Sequence, residues 1–170
     1  QGVEDNSVVS VTFDPEYQSV TWHHLHIVRD GSVIDRLELS EFDIYRLETD
    51  RKKLIYNGDL QMTYVLPDVR PGDTLDYAYT RHGKNPAIGP HYFFKFQQKY
   101  NDVTINFHNR ALIHKDLPVF TKAIEAALEP EITNIGNYKS IEWSLDGGVP
   151  TTADFDRPDW HFGWPTYHIS

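Results

Sequence analysis

A mainly β chain, folded as an antiparallel β-sandwich, is the architecture this sequence predicts, and three observations carry the expectation. Aromatic residues are abundant, with 10 Tyr, 9 Phe and 4 Trp among 170 residues, and aromatic and β-branched side chains favour strands. Short alternating runs recur along the chain with turn residues between them, and helical periods are few. Asp30-Gly31 joins two β-rich runs, the strongest short hairpin signal, because both central residues of such a turn need positive φ. A closed barrel is the alternative packing of the same strands.

The elements follow in order. Val8 to Phe13 alternates and stops at Asp14-Pro15. Ser19 to Arg29 is a longer extended run, and Ser32 to Leu37 is its hairpin partner across Asp30-Gly31. A two-residue turn sets Val28 opposite Val33, Ile27 opposite Ile34 and His26 opposite Asp35. Glu41 to Lys53 fits neither period cleanly; it reads as an extended piece followed by a helical turn through Glu48–Leu54. Asn57-Gly58 is a second turn signal, with a strand from Leu60 to Leu66 after it. Arg70-Pro71-Gly72-Asp73 has type II turn chemistry: proline presets φ at the second position and glycine supplies positive φ at the third. In the strand that follows, Thr74 to Thr80, Leu75, Tyr77 and Tyr79 share one face and Asp76 and Thr80 the other. Gly83 to Pro90 is a loop. Tyr92 to Gln98 and Val103 to His108 read as strands, and Thr121 to Leu128 is helical when taken alone. Tyr138 to Leu145 is a strand that Asp146-Gly147-Gly148 ends. These elements suggest one β-sandwich domain over 1–153 and an aromatic tail over 154–170.

The formal net charge of −9, from 16 Lys and Arg against 25 Asp and Glu, argues against a nucleic-acid partner, because counterion release needs clustered basic residues. No apolar run approaches the ~18 residues of a membrane-spanning helix, so no membrane insertion is expected. The absence of cysteine excludes a disulfide scaffold, a cysteine nucleophile and a thiolate metal site within this chain. The opening Gln1-Gly2-Val3-Glu4-Asp5 has no signal-peptide character and reads as a cut end.

Nine histidines invite a metal hypothesis, and His23-His24-Leu25-His26 is their densest cluster. On a strand His24 and His26 point one way and His23 the other. Two imidazoles at that spacing can chelate zinc, but a third ligand has to come from elsewhere, and none stands at a readable spacing. The plainer reading pairs His26 with Asp35 across the hairpin and expects no metal and no cofactor. Asp73 and Asp76, or Asp154, Asp156 and Asp159, are the carboxylates that acid–base chemistry would need; their plainer readings are a turn residue and a solvated loop. No Gly-x-Ser-x-Gly elbow, phosphate-binding glycine loop, dinucleotide fingerprint or His-Glu-x-x-His is present. The tail carries Trp160, Trp164 and Tyr167, too many large rings for a free linker. It can fold back on its own domain, dock against a following domain, or stack on a sugar or peptide.

Several blocks carry a resemblance. Asp14-Pro15-Glu16-Tyr17-Gln18, then His23, then Arg29-Asp30-Gly31 form one. Asp68-Val69-Arg70-Pro71-Gly72-Asp73 followed by Tyr77-Ala78-Tyr79-Thr80 form the second and most specific. Gly83-Lys84-Asn85-Pro86 with Gly89 form the third, and Pro158-x-Trp160 with the closing Ile169-Ser170 a fourth. Together they resemble the domain of unknown function that sits N-terminal to transglutaminase-like domains in exported bacterial proteins. The resemblance implies an immunoglobulin-like antiparallel β-sandwich, an extended conformation over Thr121–Ile132 in place of the helix, and a periplasmic or cell-surface location. It also implies a downstream papain-like transglutaminase domain in the same polypeptide, bearing a Cys-His-Asp triad. This chain would then be a non-catalytic accessory domain, with a carbohydrate- or peptide-binding module as the competing class. The family lends no catalytic or binding residue; Trp160, Trp164 and Tyr167 are the interface candidates, and Asp30, Gly31, Pro71, Gly72 and Asp73 the turn-defining ones.

Overall fold

The computed structural model describes residues 7–47, 58–89, 91–97, 104–124, 128–149 and 166–170. The chain divides into two compact units, residues 1–89 and 90–170, where the sequence suggested one domain to residue 153 and a tail. Each unit is made of two three-stranded antiparallel sheets that feed one hydrophobic core.

In the first unit, β1 (Val8–Phe13), β5 (Leu60–Val65) and β4 (Asp43–Arg46) form one sheet in that order. The other runs β3 (Ser32–Asp35), β2 (Ser19–Arg29), β6 (Thr74–His82). Inward-facing Val9 and Val11 of β1 and Tyr64 of β5 meet Trp22, Leu25 and Ile27 of β2, with Phe42 and Leu66 closing the cluster. The Trp22 ring lies 4.9 Å from Phe42 and 5.2 Å from Tyr79, spacings at which tilted aromatic pairs add to simple burial.

The hairpin has the predicted register: Val28 pairs with Val33, Ile27 with Ile34 and His26 with Asp35. Asp30 and Gly31 have φ of 50° and 77°, as the turn demands. One feature of β2 departs from simple alternation. Opposite β6, the register shifts between Trp22 and His24, so His23 is a β-bulge. The extra residue changes the parity of the strand. Trp22 therefore joins Leu25 and Ile27 in the core, and His23 turns to the outer face, where its Nε2 lies 2.6 Å from Thr80 Oγ1. The expectation that His23 points away from His24 fails for this reason.

Two turns lock the unit. Arg70 to Asp73 closes with Asp73 N–H donating to the Arg70 carbonyl at 3.1 Å, and Gly72 has φ of 93°, as the Pro-Gly chemistry predicts. Asp14 accepts from the Glu16 and Gln18 backbone N–H groups, and Gln18 Oε1 accepts from Asp14 N–H. This turn seats the Tyr17 carbonyl against Gly83, where an added Cβ would overlap the carbonyl oxygen.

In the second unit, β10 (Glu131–Ile135), β11 (Tyr138–Val149) and β8 (Thr104–His114) form one sheet, and β7 (Phe94–Gln97), β12 (Thr166–Ile169) and β9 (Thr121–Ile124) the other. Ala111, Ile141 and Trp143 pack with Tyr167 and Ile169. β12 therefore contributes two residues to this core: Tyr167 is 4% exposed and Ile169 1%. β9 is extended, not helical, because pairing with β12 overrides a four-residue propensity. β11 continues through Asp146-Gly147-Gly148, which shift its register against β8 as glycine-bearing bulges do. The helical turn at Glu48–Leu54 lies outside the described residues.

Two outcomes follow. Gly83→Ala should cost roughly 2–4 kcal/mol, since positive φ and backbone overlap coincide there. Gly72→Ala, with positive φ but open space around it, should cost about 1 kcal/mol. Urea titrations of the two variants check the order; equal losses would contradict it.

Candidate functional site

Among the described residues, four places bring chemistry-bearing side chains together. The first joins two of the resemblance blocks. Arg29, the last residue of β2, donates from Nε and Nη2 to the two carboxylate oxygens of Asp73, each at 2.8 Å. Its Nη1 reaches Asp68 Oδ2 at 3.1 Å and its Nη2 the Asp68 carbonyl. Arg70 holds the same Asp68 carboxylate through Nε and Nη2, both at 2.8 Å. The Asp73 side chain is only 2% exposed, so this is a charge pair largely out of water, in the bidentate geometry that makes such pairs strong. The Arg29 guanidinium holds the Asp73 carboxyl down to about 2, and Arg70 and then Arg29 lower that of Asp68. With its buried member, Asp73, fully paired and its outer members, Asp68 and Arg70, half exposed, the cluster fastens the turn to the end of β2. Asp73, which the sequence offered as a turn residue or half of an acid pair, is the former.

The second place is the outer face of β2 and β6. His24 Nε2 lies 3.1 Å from Asp76 Oδ1 and His26 Nδ1 4.0 Å from Asp76 Oδ2. The two imidazoles stack at 4.8 Å, 21° from parallel. The structure thus brings together His24 and His26 as read from the sequence and adds Asp76, which stands directly opposite His26. Asp35 is the other cross-strand neighbour of His26, but its Oδ1 accepts the Leu37 N–H.

The third is a cleft of about 640 Å³ in the second unit. His91, Tyr92, Phe94 of β7, Leu112 to His114 of β8, Leu117, Pro118 and Phe120 of the next connection, and Ile169-Ser170 line it. Reciprocal backbone hydrogen bonds between Phe120 and Ser170, at 2.7 and 2.9 Å, tie the end of β12 to its wall. Phe120 is 69% exposed, Leu112 55%, and no carboxylate lines the cleft. Apolar walls with a few imidazole and hydroxyl groups suit burial against another apolar surface and lack the paired carboxylates of glycosidase chemistry.

Ser140, His108 and Glu142 also meet, but not as a nucleophile and its base. The Ser140 hydroxyl is wholly buried, accepts from Arg110 Nε and donates to Glu142 at 2.6 Å, and His108 approaches the other carboxylate oxygen. Of the interface candidates, Tyr167 is a core residue whose ring lies 5.0 Å from that of Trp143, tilted by 57°. Trp160 and Trp164, like Asp154, Asp156 and Asp159, lie outside the described residues. The residues that form the apolar cleft were not singled out in the sequence. Their only sequence signal is the crowd of apolar residues at Tyr92–Phe96 and Leu117–Phe120, which core strands also produce.

Because Arg29 depresses the Asp73 carboxyl, the stabilisation it provides is complete above the ordinary aspartate value, near 4. It is lost as pH falls through about 2. Asp73→Asn should therefore melt lower than wild type at pH 7, with the gap narrowing between pH 4 and 2. Melting curves across that range check this, and a constant gap would count against the pair.

A search of curated proteins found no match. A crystal structure described as "a putative protease" from Parabacteroides distasonis ATCC 8503 matches with TM-score 0.78 at 13% identity, over 96% of this chain and 32% of that one. The likeness is one of fold, and this chain spans about a third of that protein's length. The model of the family described as a domain of unknown function with solved structure, DUF3857, matches residues 1–150. Most of the sequence, including both locking turns, falls within that match, and the chain belongs to the DUF3857 family.

Proposed function

We propose that this domain is a non-catalytic accessory module of a larger protein with a transglutaminase-like or cysteine-protease-like catalytic domain. It docks on that domain, or positions or selects its substrate, through the apolar cleft of the second unit. The observation that carries the reading is the cleft itself: exposed Phe94, Leu112, Leu117 and Phe120 gathered beside Ile169-Ser170, with no carboxylate among them. Apolar patches of this kind mark interaction surfaces. The likeness to a part of a much longer protein described as a protease supports the accessory role. A Cys nucleophile cannot come from this chain, which has none. In the same reading the paired three-stranded sheets are immunoglobulin-like, the protein is exported, and Trp160 and Trp164 contribute to the docking surface.

A carbohydrate- or peptide-binding module is the second reading. Tyr92 and Phe94 are within 9° of parallel at 5.9 Å, and Phe94 and Phe96 within 17° at 6.3 Å. A sugar site also needs acids and amides around it; the lining side chains supply neither, and Asp116 stands at its edge, 3.5 Å from His114.

The test compares the 170-residue chain with the longer protein that contains it. Phe120→Ser and Leu112→Ser, at exposed positions, should leave the melting temperature of the short chain within a degree or two. In the longer protein they should lower it by several degrees or reduce catalytic turnover. Equal losses in both would mean that the cleft is only a local feature.

A further inference from the structure

Asp73 and Asp76 stand three residues apart at the start of β6 and have opposite surroundings. Asp73 is closed off by Arg29. Asp76 is 58% exposed, and among the described residues its ion pairs are with the imidazoles of His24 and His26, with no lysine or arginine. A carboxylate that faces two imidazoles and no fixed cation is an available anionic ligand. The ligand atoms of the three residues all lie within 4.8 Å of one another.

We propose that His24, His26 and Asp76 bind one divalent transition-metal ion, of which Zn²⁺ suits the donors best, with a coordination position left open to water or an exogenous group. Two imidazoles and a carboxylate are a donor set that zinc accepts, with bonds of about 2.0–2.2 Å to each. A tetrahedral ion then needs its ligands roughly 3.3 Å apart. His24 Nε2 and Asp76 Oδ1 meet that spacing at 3.1 Å, and His26 Nδ1 is 4.0 Å from the other oxygen. Rotation of the part-exposed His26 ring about its second side-chain torsion, a broad and shallow coordinate, closes the difference.

The backbone prepares the arrangement. Residues two apart on a strand share a face, and His26 pairs directly with Asp76 across β2 and β6, so three ligands come from two rigid neighbouring strands. The bulge at His23 is what allows it. Without that extra residue Trp22 would share the face of His24 and His26, and either the indole or the imidazoles would be turned the wrong way.

The experiment uses the 170-residue chain, stripped with a chelator and dialysed. Zn²⁺ is titrated in competition with a colorimetric zinc indicator, and Co²⁺ binding is followed by its visible absorption. Wild type should take up one equivalent of Zn²⁺, and bound Co²⁺ should give the intense bands of a four- or five-coordinate site. His24→Gln and Asp76→Asn should each weaken Zn²⁺ binding at least tenfold. His108→Gln, in the other unit, should not. Melting curves in chelator verify that the variants are folded, which their part-exposed positions favour. No stoichiometric uptake overturns the proposal. So does uptake that either site variant leaves unchanged, since all three ligands are required.

Discussion

The buried ion pair of Arg29 with Asp73 is the constraint on which the first unit depends. Arg29 ends β2 immediately before the hairpin turn, and Asp73 ends the Pro-Gly turn immediately before β6. Two parallel hydrogen bonds between them place the ends of the two strands side by side, and Asp68 and Arg70 fasten the approach to the turn. A pair this far from water is demanding: removing Arg29 leaves the buried Asp73 carboxylate without its guanidinium. The pair therefore serves as a registration mark. Once Val28 lies opposite Thr74, Leu25 and Ile27 fall on the core face and His26 falls opposite Asp76. A slip by one residue would exchange the faces and strand both charges.

What could be read from the sequence was what short-range chemistry decides. Asp30-Gly31 and Pro71-Gly72 specify their turns within four residues, so the hairpin register and the positive φ at Gly72 were legible. The β2–β6 pairing was not, because it joins residues some fifty apart and passes through a bulge that no local pattern marks. For the same reason the third partner of His24 and His26 was hidden, although Asp76 had been singled out for other chemistry. The helical reading of Thr121 to Leu128 rested on a local period, and pairing with β12 overruled it at Thr121–Ile124. The tail from residue 154 was set apart for its lack of a period, which says nothing of the division into two cores at residue 89.

Three of the four blocks that carry the family likeness now have physical roles. Asp14 and Gln18 close a turn on each other, Gly83 admits the Tyr17 carbonyl, and Asn85 caps the short 3-10 turn at Pro86–Ile88 while donating to the Tyr17 hydroxyl. Arg29, Asp68 and Asp73 form the ion cluster. All of these hold loops in place, and all lie in the first unit. The exposed apolar cleft lies in the second, built from Phe94, Leu112, Leu117 and Phe120. One unit thus carries the residues that specify a shape, and the other carries the surface suited to a partner.

The position of β12 has a consequence for the order of events during synthesis. Thr166–Ile169 is the middle strand of its sheet, with β7 on one side and β9 on the other. Neither flank has its partner until residue 169 has left the ribosome, so Phe94–Gln97 waits for more than sixty further residues to be made. The first unit is complete in its strands at His82. Translation therefore separates the two halves in time: one can close early on the nascent chain, while the other keeps β7 and β9 without their shared partner until β12 is made. Such exposed, unpaired strands are the species most open to association with other chains, and in this protein that interval belongs to the second unit alone.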